Sequence, residues 1–179
     1  MDTKYLIIGF IVLLVVLLGG AKIMENQGSG VSGQANISSN ADGGREAPEF
    51  TLSKLGGGSV ALADYRGEKP VILDFFATWC PNCRRDMPKL NKFYEKYKDN
   101  VEVLGVNLQE SEKTVEEFIS SRGISFPIVL DPRGQVSRMF GIRYTNTHVL
   151  INKEGRIVRV VSGDIKESDV LSLFEQKRE

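Results

Sequence analysis

Residues Val71 to Pro88 read VILDFFATWCPNCRRDMP, and this stretch decides the architecture. Val71 to Phe76 is a near-continuous apolar run, the pattern of a strand covered on both faces. From Cys83 to Tyr97, Met87, Leu90, Phe93, Tyr94 and Tyr97 recur at helical spacing between Arg84, Arg85, Lys89, Lys92 and Lys96. That spacing predicts an amphipathic helix, offset or kinked at Pro88. Pro81 suits the first helical position, so Cys80 and Cys83 fall at a helix N-terminus, where the dipole favours a thiolate.

Working outward, TLSKLGGGSVAL after Ala47-Pro48 places two short alternating segments around Gly56 to Gly58 and predicts a hairpin. Val101 to Asn107 is a second strand. Ser111 starts a helix with Val115, Phe118 and Ile119 inward, and Gly123 suits its C-terminal cap. Ile128 to Leu130 is a short strand, Asp131 to Gly134 a turn, and Gln135 to Phe140 a short helix ended by Gly141. The tail predicts a hairpin, Thr147 to Ile151 and Arg156 to Ser162, then a helix from Ser168 to Lys177. Alternating strand and helix make the class α/β with βαβ connections.

Composition narrows the function. The 179 residues carry 23 basic and 23 acidic side chains, and discounting residues 1–47 leaves 20 against 19, so no basic field points to nucleic acid. The 132-residue remainder suits one domain with its own core. Two cysteines cannot make a disulfide scaffold. Zinc would need two further ligands, and only His148 is available among Cys and His, so no metal is expected.

Tyr5 to Ala21 (YLIIGFIVLLVVLLGGA) is uncharged between Lys4 and Lys22, at the lower limit for a spanning helix. It predicts a single-pass anchor over 5–21 behind a cytoplasmic stub, 1–4. A cleaved signal peptide using Gly19 and Ala21 is the alternative, and either would export the C-terminal domain. Residues 22–47 contain fourteen Gly, Ser, Asn or Gln and predict a flexible linker to a domain at 48–179.

The linked motifs APEFTL, ALADYRGEKPVILDFFATWC, the Cys83-Arg84-Arg85-Asp86-Met87-Pro88 helix start and GIRYTNTHVLINKEG resemble the thioredoxin superfamily. The match is closer to its membrane-anchored TlpA/ResA-type branch. The resemblance implies a thioredoxin-like fold: a central mixed sheet flanked by helices, with an N-terminal hairpin and a βα insertion around residues 101–122. It implies a thiol–disulfide oxidoreductase with no cofactor beyond its own cysteine pair. Its partners would be exported protein dithiols or disulfides, apocytochrome c among them, and a membrane electron donor.

Carried over by residue, Cys80 resembles the exposed attacking thiolate and Cys83 the shielded resolving thiol. Trp79 either flanks the site or covers the core. Asp74 matches a buried aspartate whose pKa burial should raise, placing it to take the Cys83 proton; the alternative is a carboxylate that is only hydrogen-bonded. Asp86 is secondary and reads as a solvated helix-face acid. Pro81 and Asn82 form the dipeptide that tunes the thiols, and Thr145 and Asn146 belong to the substrate-docking loop.

Asn146 departs from the family pattern, which has a cis-proline there, so a trans or strained loop is expected and Asn146→Pro should pre-organise it. His148 reads as an exposed strand residue, with a titrating neighbour of the site as the alternative. Two other functions compete: a thiol peroxidase of the peroxiredoxin type, and a copper or thiol chaperone module.

Overall fold

The computed structural model describes residues 44–174. The stub at 1–4, the anchor at 5–21, most of the linker and residues 175–179 lie outside the described residues. Among the described residues no helix is long and apolar enough to cross a membrane.

In chain order the elements are β1 (Thr51–Lys54), β2 (Ser59–Ala61), a 3-10 turn (Leu62–Tyr65), β3 (Val71–Phe76), α1 (Pro81–Tyr97), β4 (Glu102–Leu108), α2 (Glu112–Arg122), β5 (Ile128–Asp131), α3 (Gln135–Met139), β6 (Thr147–Ile151), β7 (Ile157–Ser162) and α4 (Glu167–Leu171). The strands form one mixed sheet in the order β2-β1-β5-β4-β3-β6-β7. β3, β4 and β5 run parallel, while β1, β6 and β7 pair antiparallel to their neighbours. The segment read as an insertion is built into the middle of this sheet, because β4 is paired on both edges.

β3 is buried along its whole length. Its alternation sends Ile72 and Phe76 into a core shared with Cys83, Met87 and Leu90 of α1, while Val71, Leu73 and Phe75 enter the core on the other face. Burying such side chains stabilises the fold by about 1.5 to 3 kcal/mol each. The same alternation puts Asp74 on the α1 face, between Ile72 and Phe76. Gly105, its register partner on β4, leaves space that nothing larger could use: a Cβ there would sit 2.5 Å from Ile128 Cδ1.

α1 continues through Pro88. Proline has no N–H to give the Arg84 carbonyl, and the Arg122 guanidinium takes that acceptor at 3.1 Å. Ser111 caps α2 by accepting from Thr114 N–H, and Gly123 closes it with φ +60°. Residues 44–47, assigned to the linker from composition, are part of the folded unit. Glu46 bridges Arg156, and Ala47 is buried and donates to the Gly155 carbonyl. α4 spans Glu167–Leu171, shorter than the helix expected to Lys177, whose last residues fall outside those described.

Candidate active site

β3 ends at Phe76, and the chain turns through Ala77, Thr78 and Trp79 into α1. Cys80 is the N-cap, with extended backbone (φ −72°, ψ 117°), and its Sγ accepts the Cys83 N–H at 3.2 Å. A sulfur thus does the capping work usually given to Ser, Thr, Asp or Asn, which stabilises it most when it is charged. Both cysteines are free thiols.

Burial raises the Cys80 pKa, but hydrogen bonds from the Cys83 and Thr145 side chains and the backbone N–H groups of Cys83 and Asn82 outweigh it, and the net shift is downward. For Cys83 burial dominates and, with its hydrogen bond to Cys80 and the negative charge of Asp74, pushes the thiol up to about 12. The two sulfurs are driven apart, one toward thiolate and the other toward thiol. Cys80 itself is only 4% exposed, less than its expected role as an open nucleophile implied, although Cys83 is fully buried.

Trp79 is 69% exposed, which removes the reading in which it covers the core. It directly precedes Cys80 in the chain. Asn82 is exposed and its side-chain oxygen accepts from Arg85 at 3.1 Å. Pro81 occupies the first helical position, as its fixed φ requires.

Asp74 is fully buried. Its pKa is raised from 3.8 to about 6, chiefly by burial, against the lowering influence of His148 and with a further raising contribution from Asp86. The two residues read as solvated from sequence are both inside. Asp86 is fully buried on α1, where its Oδ2 accepts from Ile165 N–H at 3.2 Å and lies 3.0 Å from His148 Nε2. His148 is 1% exposed because β6 lies between β3 and β7 and is covered on both faces. Its Nδ1 is 3.4 Å from Asp74 Oδ1, and its Nε2 also meets the Gly163 carbonyl at 3.1 Å. The structure thus replaces two surface residues with a buried carboxylate–imidazole–carboxylate row behind the cysteines.

Every peptide bond in the described residues is trans, so the bond before Asn146 is trans as well. Asn146 takes φ +58°, a left-handed conformation that Asn tolerates better than most residues. Its N–H donates to the Phe75 carbonyl at 2.9 Å and its carbonyl accepts from Gly163 N–H at 2.8 Å. The family's cis bond is absent here because the loop is pinned to β3 by a donor that proline lacks.

Sequence reading missed Glu110. Its carboxylate accepts from Thr78 N–H (2.7 Å), Thr78 Oγ1 (2.6 Å) and Asn107 Nδ2 (2.7 Å), clamping the approach to Trp79 onto the end of β4. An acid just after a buried strand, parallel to the strand before the cysteines, was the available signal.

A dithiol at a helix mouth, fed by a buried strand in a mixed sheet, defines a thioredoxin-like oxidoreductase. The AhpC/TSA family model matches residues 43–160, and the chain belongs to that family. It is 41% identical over 133 residues to thiol-disulfide oxidoreductase ResA of Geobacillus thermodenitrificans, covering 74% of this chain and 76% of the relative. It is 39% identical over 126 residues to ResA of Bacillus subtilis, covering 70% of each. Among solved structures, a putative thiol:disulfide interchange protein DsbE from Chlorobium tepidum superimposes with TM-score 0.67 at 31% identity, over 75% of this chain and 96% of that one. The protein is a thiol–disulfide oxidoreductase.

Proposed function

We propose that the protein is anchored by residues 5–21 with its folded domain outside the cytoplasm, and that it reduces disulfides of exported proteins through Cys80 and Cys83. Apocytochrome c cysteine pairs are the substrate class that the resemblance to the TlpA/ResA-type branch implies. The observation carrying this reading is the opposed pair of thiols, Cys80 lowered at the helix N-cap and Cys83 raised behind it.

In this reading the Cys80 thiolate attacks one sulfur of the substrate disulfide, joining Cys80 to that sulfur and expelling the other as a thiolate. Cys83 then loses its proton to Asp74 and attacks Cys80 Sγ. The mixed disulfide breaks, the Cys80–Cys83 disulfide forms, and the second substrate sulfur leaves with the electron pair. Two electrons pass to the substrate and solvent protonates its thiolates. The two sulfurs carry the electrons, so no cofactor is called for, and a membrane electron donor would restore the dithiol.

The test is Cys83→Ser expressed in a host that exports the chain. Membrane fractions should hold a Cys80-linked mixed disulfide with an exported cysteine protein, released by dithiothreitol. Recovery of the variant only in the soluble cytoplasmic fraction, with no trapped partner, would overturn the proposal.

A further inference from the structure

Asp86, His148 and Asp74 form a continuous buried row, with contacts of 3.0 Å and 3.4 Å on the two sides of one imidazole. Both oxygens of Asp74 lack a hydrogen-bond partner among the described residues. A base with no local hydrogen bonds depends on nearby charge to stay ionised. The register of β3 against β6 places His148 directly opposite Asp74, and α1 brings Asp86 to the far side of the ring.

We propose that His148 is a positioning residue for thiol–disulfide exchange: by holding positive charge between Asp86 and Asp74, it keeps Asp74 ionised and able to accept the Cys83 proton. This rests on the dithiol reading above. Of the groups facing the ring, Asp74 comes from β3, Asp86 from α1, and the Gly163 carbonyl from beyond β7; its β7 register partner, Val161, is uncharged. Cys83, on α1 in the core on the same side of β3, is near enough for the Asp74 charge to raise its pKa. Arg85 and Lys89, also on α1, are engaged by Asp164. His148 is therefore the cation that the row contains.

With His148 protonated and both carboxylates ionised, the row carries one net negative charge. When Cys83 transfers its proton to Asp74, the row becomes neutral and the thiolate is free to break the mixed disulfide. Neither state buries two uncompensated charges of one sign. The shift of His148 agrees: burial lowers its pKa, but the charge of Asp74 and the contacts with Asp86 more than reverse this. Without the imidazole, Asp74 loses the charge that lowers its pKa and keeps its proton to higher pH, where it accepts that of Cys83 less readily.

The experiment follows the two exchange steps separately in full-length protein, using the exposed Trp79 fluorescence and a peptide disulfide across a pH series. In His148→Gln, attack by Cys80 should keep the parent's pH profile, while the profile of mixed-disulfide resolution should move up by about one pH unit or more. An unmoved resolution profile, or equal slowing of both steps, would overturn the proposal and leave His148 a packing residue. A parent that forms no Cys80 mixed disulfide would overturn the dithiol reading and the proposal with it. Because His148 is the only histidine in the chain, its ring signal in the NMR spectrum is unambiguous, and it supplies a test that needs no His148 variant. The ring should titrate above 6.5 in the reduced parent and its midpoint should fall in Asp74→Asn. The same midpoint in both proteins would overturn the coupling.

Discussion

Asp74 Oδ1 and His148 Nδ1 lie 3.4 Å apart as register partners on β3 and β6, both sealed from solvent. Neither residue improves the core as an apolar side chain would. A carboxylate in this position carries a cost whose pH dependence gives the first prediction.

The Asp74 pKa rises from 3.8 in an open chain to about 6 in the fold, so between these values the native state holds a proton that the unfolded chain has released. Stability from this group is therefore full below about pH 4 and is lost as pH rises through 6. Asp74→Asn removes that loss. The variant should be more stable than the parent at pH 7, on the order of 2 kcal/mol after His148 gives up its charge partner, with the difference closing near pH 4. Urea unfolding at the two pH values measures it, and a variant less stable at pH 7 would contradict the assignment.

The opposed thiols give the second. Cys80 should be alkylated at least about tenfold faster than Cys83 at pH 7, since the thiolate is the reacting form and Cys83 holds its proton to about 12. Iodoacetamide labelling and mass spectrometry distinguish the two sites. Equal labelling, or Cys83 first, would reverse their roles.

Glu110 gives the third. Glu110→Ala strips three hydrogen bonds from Thr78 and Asn107, two of them from side-chain donors. A loss of about 2 kcal/mol is expected, with Gln at the same place recovering part of it through its remaining carbonyl oxygen. The Thr78 amide should lose its protection from hydrogen exchange before the β3 amides do. Protection unchanged in the alanine variant would mean that the Thr78 turn is held by other contacts.

What was legible in the sequence, and what was not, divides along one physical line. Local periodicity found β3, α1, β4, α2 and the closing hairpin, and the position of Pro81 found the helix mouth, because each signal lies within a few neighbouring residues. His148 and Asp86 were misplaced because their burial is decided by elements far away in the chain. β6 becomes an inner strand only when β7 pairs outside it, and Asp86 is met inside by the N–H of Ile165, 79 residues on, and by His148, 62 residues on. A polar residue in a short strand carries no mark of which strand will cover it. Glu110 was missed for the same reason, its partner Thr78 lying 32 residues earlier.

Asn146 gives the last prediction, and it reverses the expectation from family pattern. Proline at 146 was expected to pre-organise the loop, but the observed backbone does not admit it. Proline fixes φ near −65°, whereas Asn146 sits at +58°, and its N–H is spent on the Phe75 carbonyl at 2.9 Å. Asn146→Pro must therefore either break the tie between the loop and β3 or flip the preceding bond, and it should destabilise the fold by more than about 1 kcal/mol. Glycine is the informative contrast, since it accepts positive φ freely and keeps the N–H. The side-chain nitrogen and oxygen of Asn146 are buried without hydrogen-bond partners among the described residues, so removing them gives up no hydrogen bond there. Asn146→Gly should stay within about 1 kcal/mol of the parent, while Asn146→Pro falls below both. Chemical denaturation of the three proteins decides the matter: a proline variant as stable as the parent would mean that the loop readily exchanges its left-handed residue for a proline turn.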